Sequence, residues 1–188
     1  MPRKQRVLVT GATGFIGGFL LDALRANPQY EVVVAGRRCP ELEDGAGVEF
    51  FCVGDIGPDT DWRECLQGVN IVFHLAGLAH VNNPRVEAEK AFRRVNELGT
   101  HRLARQSVEA GVRRFVFLSS IGVNGNANHR PFTVLDEPAP RELYAISKLD
   151  AENRLKAVCG DVSMSYIIVR PPLVYGPGAP GNFGLLSS

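Results

Sequence analysis

Thr10-Gly11-Ala12-Thr13-Gly14-Phe15-Ile16-Gly17 is the stretch on which the fold turns. The apolar run before it, residues 6–9, has the length and continuity of a short buried strand. The segment after it, residues 19–25, reads as a helix. Strand, glycine turn and helix in that order build a phosphate cradle: Gly11 permits the tight turn, Gly14 lets the backbone approach a pyrophosphate, and Gly17 lets the helix pack close to the strand. The helix N-terminus then offers its free N–H groups to the anion. The spacing is GxxGxxG rather than GxGxxG, so the flanking strand and helix carry the dinucleotide reading. Its contacts are expected from Gly11, Thr13, Gly14, Phe15, Ile16 and Gly17.

The remaining composition narrows the class. A chain of 188 residues suffices for one α/β domain and leaves little for a second. The net charge of +1, with no basic block, argues against a nucleic-acid partner. Apolar runs are strand-sized, which argues against a membrane span. Met1-Pro2-Arg3-Lys4 resembles the start of a signal peptide, but the apolar run after it is short and ends in the glycine turn, so it reads as the first strand. Cys39, Cys52, Cys65 and Cys159 form no CxxC pair and no metal spacing; they read as thiols of a reducing cytoplasm, with no metal site.

Strand-like and helix-like segments alternate along the chain. Further strands are expected at 31–35, 48–53, 70–75, 114–119 and 166–170. Helices are expected at 61–67, 85–110 (stopped by Gly111) and 143–158, with a polar loop over 122–141. Near-continuous apolar strands between helices predict a Rossmann-type, doubly wound parallel α/β sheet, strand order 3-2-1-4-5-6, covered on both faces. Residues 1–170 are expected to form this dinucleotide-binding domain. The Gly- and Pro-rich stretch 171–188 reads as the start of a largely absent C-terminal substrate-binding region, a chain cut in a loop.

At the end of the second strand an Asp or Glu would bond the adenosine ribose and select NAD. This chain has Gly36-Arg37-Arg38 there, and guanidinium groups pair well with a 2′-phosphate, so NADP(H) is favoured over NAD. Asp55 lies where a carboxylate could accept from the adenine amino group, and the small residues of His74-Leu75-Ala76-Gly77 let the cofactor lie close. His74 itself reads as a buried, hydrogen-bonded histidine.

Tyr144 and Lys148 are four apart at a helix start and so share a face. A neighbouring ammonium would favour phenolate, which makes Tyr144 an acid/base candidate. Ser119-Ser120 closes the fifth strand at the edge where substrate should lie, and Asn96 sits mid-helix, where it either bridges backbone or water near the lysine or faces solvent.

TGATGFIG, Asp55-Ile56, HLAG, Val95-Asn96-Glu97, Ser119-Ser120-Ile121-Gly122-Val123-Asn124-Gly125, YAISK and Arg170-Pro171-Pro172 with Tyr175-Gly176-Pro177-Gly178 occur in order. As a set they make the chain similar to the extended short-chain dehydrogenases/reductases of the NAD-dependent epimerase/dehydratase family, and most of all to nucleotide-sugar 4-epimerases and 4-ketoreductases. The resemblance implies that Ser120 is the active-site serine, four residues before Asn124, which stands where a tyrosine is common. It implies that Tyr144 is the acid/base and that Lys148 binds the nicotinamide ribose and tunes the tyrosine. It further implies cofactor contacts from Arg37, Asp55, Ile56, Leu75, Ala76, Gly77 and Pro171, a structural role for Asn96, and a sugar-nucleotide contact from Asn182.

The implied activity is epimerisation of a UDP-sugar at C4 in polysaccharide or O-antigen sugar synthesis, in the cytoplasm, with a homodimer allowed. A reductase of nucleotide-4-keto-sugars using NADPH and a non-catalytic dinucleotide-binding fragment are the alternatives. A dehydratase is disfavoured because Ile121-Gly122, not an acidic pair, follows the serine.

Overall fold

The computed structural model describes residues 4–37, 47–79, 81 and 84–179. Six strands, β1 (Gln5–Thr10), β2 (Tyr30–Gly36), β3 (Val48–Cys52), β4 (Ile71–His74), β5 (Arg114–Leu118) and β6 (Ser165–Val169), form one sheet in the order β3-β2-β1-β4-β5-β6. Every pairing is parallel, as the alternation of apolar strands and helices predicts. The order reverses beside β1, so the carboxyl ends of β1 and β4 flank the crevice where ligands of such sheets lie.

Alternate residues of β1 feed two cores. Leu8 packs with Val33, Val72, Phe115 and Phe117 against Leu103 of α3 (Thr100–Glu109) and Leu155 of α4 (Leu143–Cys159). Val7 and Val9 pack with Val32 and Val34 against Leu20 and Leu24 of α1 (Phe15–Arg25). Along that second face the row Val9–Phe73–Val116–Ile167 runs across the sheet. Its far end is open: Ile167 is 45% exposed and Val169 40%.

Three helical expectations change. The first helix begins at Phe15, with Gly17 and Gly18 in its first turn, because the backbone there must lie against the glycine turn. Residues 63–68 form turns rather than a helix: Trp62 is fully buried and its backbone N–H donates to Gln106 Oε1, and so short a segment does not offset helix nucleation. The long helix is three pieces: α2 (Arg85–Phe92), a π-helical segment (Arg93–Gly99) and α3.

Cys65 and Cys159 are buried thiols, but Cys52 is disulfide-bonded, against the expectation for all four cysteines. Sequence spacing tests for chelation and CxxC chemistry; a disulfide depends on Cα separation in space. Among the described residues no helix is long and apolar enough to cross a membrane, and no group of three or more His, Cys, Asp or Glu side chains could hold a metal ion.

Candidate active site

The glycine turn is built as a cradle. Gly11 has φ +74°, and a Cβ on it would stand 2.6 Å from the Ala76 nitrogen, so the turn lies directly against the end of β4. A Cβ on Gly17 would lie 2.0 Å from the Gly11 carbonyl oxygen, which fixes how closely α1 seats on the turn. Gly14 precedes α1 in extended geometry and gives no side-chain cap to the helix N-terminus, and Thr13 and Gly14 are exposed. Uncapped amides, a positive helix end and bare backbone fit the pyrophosphate of a dinucleotide. Phe15 and Ile16 stand half-buried at the rim, where the Phe15 ring meets Phe19 edge-on at 5.4 Å.

Beside the cradle, Leu75 N–H donates to the Thr10 carbonyl and Ala76 N–H to Thr10 Oγ1 at 3.3 Å. His74 is 1% exposed, with Nδ1 2.7 Å from Thr10 Oγ1 and Nε2 2.9 Å from Thr100 Oγ1. Either neutral tautomer satisfies both ring nitrogens, since each threonine hydroxyl can donate to the bare nitrogen or accept from the protonated one. Burial, helped by the Lys148 charge, pushes this imidazole down to about 3. His74 is thus the satisfied structural histidine that the sequence implied.

Asn96 explains the π-helical segment. Its Oδ1 accepts from Leu78 N–H at 2.8 Å, while its Nδ2 donates to the Leu78 carbonyl and to Ser147 Oγ, both at 2.9 Å. One buried amide therefore ties the loop after β4 to α4, and the widened turn brings it there. Of its two expected roles it takes the backbone bridge. Gly99, at the end of that segment, leaves room for Ile56, whose Cγ2 would be 2.5 Å from a Cβ on that glycine. Asp55 stands exposed in the loop after β3, and its carbonyl accepts from Thr60 Oγ1.

Tyr144 and Lys148 lie in the first two turns of α4. The Lys148 ammonium is buried, 4.2 Å from the Phe117 ring centroid and 3.6 Å from where a Gly77 Cβ would stand. Burial pushes it down to about 7, with Glu152 acting in the opposite direction. Tyr144 is half-buried with its ring 6.1 Å from that of Phe92, and burial raises its phenol. The phenol is thus raised by its burial rather than lowered, and the ammonium expected to lower it is itself weakened by burial.

Ser120 follows β5 by two residues and opens a short 3-10 turn (Ile121–Val123), its Oγ accepting from Gly122 N–H at 3.2 Å. A Cβ on Gly122 would lie 3.4 Å from Ser120 Oγ and 3.3 Å from Ala145 Cβ, so the turn fits between the serine and the residue after Tyr144. Ile121 N–H donates to the Pro171 carbonyl, joining the segment after β6 to the same edge. Arg37 is exposed just past β2; Arg38 and Asn182 lie outside the described residues. Sequence reasoning missed Glu152, and it placed Ser119 at the substrate edge, whereas Ser119 Oγ donates to the fully buried Glu152 carboxylate at 2.6 Å.

The family model described as NAD dependent epimerase/dehydratase matches residues 7–185. The chain belongs to that family. It is 41% identical over 189 residues to a UDP-glucose 4-epimerase of Vibrio cholerae, covering 99% of this chain and 56% of that protein. MoeE5, solved in complex with UDP-glucuronic acid and NAD, superposes with a TM-score of 0.80 at 37% identity, over 93% of this chain and 57% of MoeE5. A UDP-glucuronic acid 4-epimerase from Bacillus cereus, solved with NAD, gives a TM-score of 0.79 at 27% identity, over 92% and 57%. This family member therefore spans a little over half the length of these relatives.

Proposed function

We propose that this chain is the dinucleotide-binding half of a nucleotide-sugar epimerase that inverts a UDP-sugar at C4. The observation that carries the reading is the packing of the Ser120 turn against Ala145 of α4, the helix of Tyr144 and Lys148, at the carboxyl edge of a sheet whose glycine cradle fits a pyrophosphate. The cradle residues Gly11 to Gly17 would hold the pyrophosphate of a dinucleotide, which when bound would supply reversible hydride transfer at the sugar C4. Tyr144 would hold the proton of the C4 hydroxyl during that exchange, and the Ser120 hydroxyl would donate to the same oxygen. Lys148, whose ammonium is 3.6 Å from where a Gly77 Cβ would stand, would bind ribose hydroxyls of the dinucleotide. Polysaccharide sugar synthesis, a cytoplasmic location and a homodimer accompany this reading through the family resemblance.

In the natural polypeptide that contains these residues, Tyr144→Phe is expected to reduce UDP-sugar epimerisation by about 10²–10⁴-fold while dinucleotide affinity stays within twofold or so, since only the proton carrier is lost. Wild-type turnover in the Phe variant would refute the assignment.

NAD is the dinucleotide in the solved relatives named above, and we take it as the cofactor here. Arg37 supports a second reading, NADP(H), because its exposed guanidinium follows β2. Titration of NADH and NADPH at low and high salt separates them. NADH binding tighter at both salts leaves NAD; an NADPH preference that fades with salt assigns the 2′-phosphate to an exposed arginine.

A further inference from the structure

Glu152 has no counterpart in the proposed chemistry, yet its carboxylate is fully buried. Oε1 accepts from Ser119 Oγ at 2.6 Å and from Arg170 Nε at 2.8 Å, and Oε2 accepts from Arg170 Nη2 at 2.5 Å. The third guanidinium nitrogen, Arg170 Nη1, donates to Asn124 Oδ1 at 3.1 Å. One carboxylate thereby joins α4, the end of β5, the end of β6 and the 3-10 turn. Such a cluster is not needed for stability, because apolar side chains of similar volume usually serve a core as well as a buried ion pair does. What an apolar group would not supply is direction.

Each partner of Glu152 is the neighbour of a site residue. Ser119 precedes Ser120, Arg170 precedes Pro171, and Glu152 stands one helical turn beyond Lys148 on the same buried face of α4. The backbone repeats the joint: Ser119 N–H donates to the Val169 carbonyl at 2.7 Å and Ile121 N–H to that of Pro171 at 3.0 Å. We propose that Glu152 is a positioning residue that locks Ser120, Pro171 and Lys148 into one rigid unit and supplies the counter-charge for the Lys148 ammonium. This rests on the reading that Ser120 and Lys148 serve a bound dinucleotide and its substrate.

Among the described residues the charges around that ammonium are few. From α4 come Glu152, the phenol of Tyr144 and the half-exposed Lys156, whose Nζ is 3.9 Å from Glu152 Oε2. From β4 comes the neutral His74, and from the end of β6 comes Arg170, held on the carboxylate. Glu97 of the π-helical segment is engaged by Arg93 and Arg154. Glu152 is thus the acid that favours the charged lysine, and removing its charge should ease deprotonation of Lys148.

The test is Glu152→Gln, which keeps the shape and removes the charge, with far-UV circular dichroism to establish folding. Lys148 is followed by NMR in protein carrying ¹³Cε-lysine, its signal assigned by its loss in Lys148→Met. The Lys148 titration midpoint is expected to fall by about one pH unit, tenfold in proton affinity. NADH affinity should weaken several-fold, and in the natural polypeptide kcat should fall by about 10²-fold, as misplacement of supporting groups does, with KM for the sugar little changed. A folded Gln variant with an unmoved Lys148 midpoint and wild-type NADH affinity overturns the proposal. If Glu152→Gln does not fold, Ser119→Ala decides by removing a single donor: a several-fold fall in kcat at constant KM supports the proposal, and wild-type kinetics overturn it. A shifted Lys148 midpoint in a protein whose wild type epimerises no UDP-sugar leaves the positioning role standing and removes the epimerase reading instead.

Discussion

His74 is enclosed between Thr10 and Thr100, and a proton added to its ring would be a charge buried away from water. Its folded-state value near 3 lies below the ordinary 6.5. Between those values the unfolded chain binds a proton that the folded chain refuses, so stability rises with pH across the window and is lost as pH falls from 6.5 toward 3. The loss from this one group is up to about 5 kcal/mol. Urea denaturation from pH 7 to 4 should show the slope in the wild type and a flatter one in His74→Asn; identical slopes would remove His74 from the account. At this scale the glycines, HLAG and the Tyr–Lys pair could be singled out because they occur in order, each at the end of a strand or the start of a helix. Glu152 was not, because it lies between Asp150 and Arg154 in a polar run that reads as a solvated helix face, and only the packing of β5 and β6 onto α4 buries it. Nor was the weakened Lys148 charge, which depends on burial over Phe117.

Elements meet at the cradle through bare backbone. A methyl group on Gly17 would need to displace α1 from the Gly11 carbonyl and from Ala12 Cα, 2.8 Å away, and neither contact is a flexible side chain. Gly17→Ala is therefore expected to destabilise the fold by about 1–3 kcal/mol and to weaken NADH binding at least tenfold, read by thermal unfolding and fluorescence titration. Unchanged affinity would show that the helix seat and the phosphate site are uncoupled. The strands were legible to within a residue or two because apolar runs of that length have few alternatives. The division of residues 85–110 was not. A π-helical turn leaves no periodic mark, and its cause, the Asn96 bridge to Leu78 and Ser147, is made of long-range contacts.

The whole sheet was legible in its order, since parallel strands joined by right-handed crossovers leave few topologies. What surrounds β6 was not, and its two faces differ: Ile168 packs on the α4 core while Ile167 and Val169 stand open. Because the relatives are nearly twice as long, we expect the 188-residue chain to bind NADH measurably but to turn over no UDP-sugar, and a polypeptide of the relatives' length to do both. Side-by-side assay with one substrate panel checks this, and brisk turnover by the shorter chain would show that its pocket is complete.

The central place of β1 has a consequence in time. Of these six strands it is the first to leave the ribosome, yet it needs neighbours on both sides, and β4, which also closes the Gly11 turn through Ala76, is made some sixty residues later. Until then Val7, Leu8 and Val9 present one unpaired, apolar edge to every other nascent chain. A polypeptide stalled after β3 should thus remain protease-sensitive and bind chaperones, and one stalled well past β5 should shed both properties.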